Sequence, residues 1–100
     1  MFGQITNNNG EKLYILTFVA TNNIEPYIIV DTWAKCKEHL EQMTVETDDD
    51  ILFAQLIHKE VNEELYRAKA SMRCNKKGWG NDFFKYITIK PLYTRAWFND

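Results

Sequence analysis

Hydrophobic positions along this chain follow two rhythms. From Thr47 to Met72 the run TDDDILFAQLIHKEVNEELYRAKASM, wound at about a hundred degrees per residue, places Phe53, Ala54, Ile57, Val61, Leu65, Ala68 and Met72 on one side of an α-helix. Thr47 stands where an N-cap belongs, with Asp48, Asp49 and Asp50 in the first turn and Arg67, Lys69 and Arg73 near the end, the charge order that a helix dipole rewards. The pattern predicts a helix of about six turns, on the order of 35 Å long, as the element on which the rest packs.

Elsewhere the period is two. Phe2 to Thr6 alternates, Asn7 to Gly10 supplies an Asn-Gly turn, and Lys12 to Thr21 resumes as a strand, so the two are expected to form a hairpin. In the second strand Leu13, Ile15, Thr17 and Val19 point one way and Tyr14, Leu16, Phe18 and Ala20 the other. Both faces are largely apolar, as in an inner strand. After the loop TNNIEP, Tyr27 to Val30 is a third strand. Asp31 or Thr32 then caps a short helix to about Met43 whose apolar side is Trp33, Cys36, Leu40 and Met43. This helix is expected to cover Leu52 and Leu56. Lys76 to Asp82 is a turn and Phe83 to Lys90 a strand that Pro91 ends or moves to an edge, with a last edge strand over Leu92 to Phe98. The expectation is α+β: an antiparallel sheet of four to five strands, in the order β-β-β-α-α-β, with a short and a long helix on one face.

Composition narrows the class. At 100 residues, with 45% hydrophobic residues and a net charge of -2, the chain is read as one domain over 1–100 with a real core. It has neither the balance of a polybasic nucleic-acid binder nor that of an acidic disordered tail. No apolar run reaches the roughly 18 residues of a membrane span, and the polar N-terminus reads as cytoplasmic. Cys36 and Cys74 are the only cysteines. With His39 and His58 they match no usual zinc spacing, so no metal or cofactor is expected. Catalytic motifs are missing as well: there is no G-x-S-x-G, no H-E-x-x-H and no phosphate loop, and the Cys36/His39 pair lacks an orienting third group. A non-enzymatic role follows.

Charge is sorted along the chain. Glu38 to Glu64 holds nine carboxylates against Lys59, and Leu65 to Phe98 holds eight bases against Asp82. On a long helix this makes a bipolar molecule. Its acidic end, with Asp48, Asp49, Asp50, Glu60 and Glu64, suits a protein-binding protein, a phage-type inhibitor or adaptor that imitates nucleic acid and blocks a basic nucleic-acid-handling site on a partner protein. Opposite ends of two copies could also pair as a homo-oligomer. The alternative lies in the C-terminal segment, where residues 76–98 carry seven of fourteen aromatics among five bases, a composition for stacking bases and tracking phosphates. Lys77, Trp79, Phe84, Lys85 and Tyr86 are its candidate nucleic-acid-binding residues.

Two short likenesses accompany these readings. Lys77-Gly78-Trp79-Gly80 with Phe83-Phe84-Lys85-Tyr86 resembles the octamer strand of RNA-recognition-motif proteins, and Leu13-Tyr14-Ile15-Leu16-Thr17-Phe18 is similar to their hexamer strand. Asn81-Asp82 interrupts the octamer, and two expected helices and a strand separate the two segments where that family has one of each. No binding residue is therefore taken from the likeness. Pro26 to Leu40, PYIIVDTWAKCKEHL, is similar, chiefly through Trp33 and Cys36, to the strand-then-helix of the hybrid-binding module that begins some ribonucleases H.

Overall fold

The computed structural model describes residues 3–21, 26–45 and 48–94. Its elements are β1 (Leu13–Ala20), β2 (Tyr27–Thr32), α1 (Trp33–Val45), β3 (Ile51–Asn62), β4 (Arg67–Lys76) and β5 (Asp82–Pro91). The strands form one sheet in the order β2-β1-β5-β4-β3, every neighbouring pair antiparallel. This is a mostly-sheet β-β-α-β-β-β chain with a single described helix, which overturns the expected pairing of a short and a long helix. None of the described helices is long and apolar enough to cross a membrane.

The predicted long helix is a hairpin. In its second arm, β4, alternation is strict: Ala68, Ala70, Met72 and Cys74 are buried while Arg67, Lys69 and Arg73 are exposed. Alanine, methionine, lysine and arginine favour helix intrinsically, but the cross-strand bonds to β3 on one side and β5 on the other override that preference. The turn between the arms has no glycine. Asn62 closes it instead, its side-chain oxygen accepting the N–H groups of Glu64 and Leu65 at 3.1 and 3.0 Å, and Tyr66 takes the left-handed conformation at φ 53°. Thr47, the expected N-cap, lies outside the described residues. Leu52 and Leu56, expected under the short helix, are exposed instead.

The other elements stand near their expected positions. Thr32 caps α1 by accepting the Lys35 N–H through Oγ1 at 3.4 Å. Cys36 and Leu40 are buried, with Trp33 and Met43 packed beside them. β1 is an inner strand between β2 and β5. The Asn-Gly turn forms, with Gly10 at φ 79° and the Asn7 side chain accepting the N–H groups of Asn9 and Glu11. The segment before it makes only isolated bridges, Thr6 to Lys12 and Gln4 to Tyr93. Most of the expected last strand falls outside the described residues.

One helix sets where the core can be. Every buried strand side chain among the described residues, from Tyr14 and Leu16 to Ile87 and Ile89, lies on the face that α1 covers. A helix is about 10–12 Å across and strands are spaced about 4.8 Å apart, so α1 shields only the middle of a five-stranded sheet. Fully burying Leu16, Leu40, Met72, Ile87 and Ile89 contributes roughly 1.5–3 kcal/mol each. The opposite face carries none of these residues.

Candidate functional site on the open face of the sheet

The open face can be followed row by row through the strand registers. Val19, Tyr86, Ser71 and His58 stand side by side across β1, β5, β4 and β3. The next row is Thr17, Thr88, Lys69 and Glu60, and on the other side Phe84 of β5 adjoins Arg73 and then Gln55. Phe84 and Tyr86 are neighbours on the middle strand, with ring centroids 6.5 Å apart and planes inclined by 21°. The backbone of Phe84 is pinned from both sides by Thr21, whose Oγ1 accepts the Phe84 N–H at 3.0 Å while its own N–H reaches the Phe84 carbonyl at 2.9 Å. Beside the rings, Arg67, Lys69 and Lys90 line a cleft of about 230 Å³ with Glu60, Thr88 and Leu65.

Its electrostatics come from pairing an acidic arm with a basic one. Glu60 receives Lys69 at 3.6 Å and His58 at 3.3 Å, so the carboxylate on this face is already answered. Arg73 and Asn75 both donate to Asp82. The Asn75 hydrogen bond first, then that of Arg73, holds the Asp82 carboxyl below its ordinary value. Lys90 and Arg67 remain exposed. The charges that are separated along the sequence thus meet in space, because β3 folds back on β4. The bipolar molecule inferred from a long helix does not form.

The five carboxylates proposed for partner binding are not brought together. Asp48, Asp49 and Asp50 form an exposed turn before β3, in which Asp48 accepts the Asp50 N–H at 2.9 Å. Glu64 sits beyond the other end of this 12-residue strand, about 40 Å away at the usual rise per residue. Glu60 lies on the open face among bases. Glu63, their neighbour, accepts from Lys37 at 2.8 Å and from the Trp33 indole at 2.7 Å.

Of the five nucleic-acid candidates, the structure unites Phe84 and Tyr86. Alternation sends Lys85 to the helix-covered side, with its ammonium 5.9 Å from the Phe18 ring centre. Lys77 and Trp79 belong to the turn beyond β4. There Trp79 packs on Phe83 at 5.6 Å, under Lys76. Sequence reasoning did not associate Lys69, Ser71, Arg73 and Thr88 with the aromatic pair. The alternation of RAKASMRC was the signal that would have found them.

The two strands likened to the octamer and hexamer, β5 and β1, do lie side by side. Tyr14 and Phe18 of the hexamer-like strand, however, face the helix, so of these two strands β5 alone presents rings to the open side. Pro26 to Leu40 does form a strand followed by a helix, in which Cys36 is buried and its thiol pushed up to about 11 by that burial. A thiol held protonated in this way is no activated nucleophile. No group of three or more metal-ligating side chains converges among the described residues. No known protein family matches the chain, and comparison with curated proteins and with solved structures finds no match.

Proposed function

We propose that the open face of the sheet binds single-stranded nucleic acid. The observation that carries this reading is the Phe84–Tyr86 ring pair on the middle strand, Tyr86 exposed and Phe84 half-buried, flanked on β4 by Arg73 and Lys69, which are paired with Asp82 and Glu60, and by the exposed Lys90 on its own strand. Aromatic rings on a bare sheet offer sequence-tolerant stacking, and cations one strand away fall where a phosphate backbone runs. Thr17, Thr88 and Ser71 add hydroxyls that reach sugar or base edges. The cleft beside Lys69 and Lys90 is large enough for a phosphate group.

Anisotropy of a fluorescein-labelled oligouridine twelve-mer, titrated with the full chain at low salt, tests the proposal. Binding is expected, with Tyr86→Ala and Phe84→Ala each weakening it by roughly 1–3 kcal/mol, or about 5- to 150-fold. Lys69→Ala is expected to reduce the slope of log affinity against log salt by about 0.7. Absence of binding at low salt overturns the proposal.

A second reading attaches to the acidic turn. Asp48, Asp49 and Asp50 are exposed, and no ion pair among the described residues involves them, which suits them to a basic surface on a protein partner. Reversing all three to lysine would slow association with such a partner and flatten its salt dependence. An unchanged rate removes this turn from consideration.

A further inference from the structure

A second run of exposed apolar residues lies along one edge of the sheet. β3 has β4 as its sheet neighbour and, among the described residues, no strand on its other side. It exposes Leu52 at 64%, Phe53 at 41%, Leu56 at 45% and Ile57 at 54%, and Leu65 follows in the turn beyond it. Free edges in stable monomers are usually short, charged or interrupted by proline. This one is 12 residues long and contains no proline. Its single lysine, Lys59, is drawn back to Glu41 of α1. Register shifts at Leu52 and Ile57 break its regularity without covering it.

We infer that β3 is the contact surface for a second copy of this chain, paired antiparallel with its own equivalent across a twofold axis normal to the sheet. Three observations select that occupant. The first is length: only a strand as long as β3 covers all of it, and the opposite edge, β2, has six residues. The second is area. Leu52, Phe53, Leu56, Ile57 and Leu65 are all exposed and present on the order of 500 Å² per copy, so that two copies meeting there cover up to about 1,000 Å², the size at which specific interfaces begin. The third is symmetry. Such an axis preserves the antiparallel sense of every pairing in the sheet and closes the assembly at two copies. It also sets both helices on one side of a ten-stranded sheet and both open faces on the other.

Full overlap of the strands places Leu56 and Ile57 of both copies at the axis and brings the Asp48–Asp50 turn of each toward Glu63 and Glu64 of the other. Added salt screens that repulsion and leaves the apolar contact intact, so the dimer tightens with salt. This response is opposite to that of nucleic-acid binding, so the two proposals fail separately.

Sedimentation velocity of the full chain over a wide concentration range, at low and high salt, is the test. A discrete species of twice the 11.9 kDa chain mass is expected, with its midpoint at lower protein concentration in high salt. Ile57→Lys should raise the midpoint at least tenfold while the far-ultraviolet circular dichroism is kept. Hydrogen exchange of the unmodified chain gives a second measurement that needs no variant: β3 amides should gain protection as concentration rises, and β2 amides should not. A monomer at every concentration overturns the inference, as does growth past the dimer or protection gained at β2.

Discussion

The two arms of the long hairpin make an instructive pair. β4 spends its small apolar residues beneath the helix and its bases on the open side, and each side chain has a neighbour that explains it. β3 is richer in large apolar side chains and buries almost none of them: its residues are exposed or half-buried throughout. The difference is one of position, since α1 reaches the middle strands and leaves the outer arm uncovered. Hydrophobicity along a strand therefore reports that the strand will be covered, but not by what. For β4 the cover is its own helix, and for β3 none is found among the described residues, which is why a second copy is proposed for it.

The largest expected effect separates the arms directly. Met72→Ala in β4, where the side chain is 1% exposed, should cost roughly 2–5 kcal/mol by leaving a cavity. Ile57→Ser in β3 should change stability by no more than about 0.5 kcal/mol in urea unfolding of the monomer. Comparable losses at the two positions would show that β3 has a cover within the chain after all.

A smaller effect is expected at the joint between them. Asn62→Ala removes the acceptor for two turn N–H groups and should cost roughly 1–2 kcal/mol. Asn62→Asp keeps the oxygen and should recover most of it. Equal losses in the two variants would mean that the amide's donors, not its oxygen, hold the turn.

These positions also show how far the sequence could be read. β1, β2, α1 and β5 were legible because alternation, the Thr32 cap and the Trp33–Cys36–Leu40–Met43 stripe each point to one local structure. The hairpin was not, for two reasons. Its turn uses Asn62 and a left-handed Tyr66 in place of glycine, and its residues satisfy a helical period and a helical charge gradient as well as a strand pattern. Acids followed by bases read as the two ends of a helix dipole, yet the same order is what two adjacent antiparallel strands require: Glu60 stands opposite Lys69 because the chain turns back between them. Half of the candidate site followed from the same ambiguity. Phe84 and Tyr86 could be named from composition, whereas Lys69 and Arg73 join them only once 67–76 is a strand.

The smallest effect concerns the turn's attachment to the helix-covered side, and its sign is set by Glu63. Its carboxyl is held below the ordinary value of 4.5, first by the hydrogen bond from Lys37 and then by that from the Trp33 indole. A carboxyl depressed in the folded state contributes stability that is fully present above its unfolded value and is lost as pH falls through the folded one. Glu63→Gln should therefore leave a flatter fall in stability below about pH 4.5, with the two proteins converging as Glu63 becomes protonated. Because the pair is exposed, the difference should be slight and should shrink in high salt. Lys37→Met removes the larger cause and keeps the indole donor, so its acid limb should lie between the two. Urea midpoints measured across this range decide the matter: an acid limb in Glu63→Gln as steep as that of the parent chain would detach the hairpin turn from α1 and leave the hairpin held to the helix by the buried face of β4 and the Lys59–Glu41 pair alone.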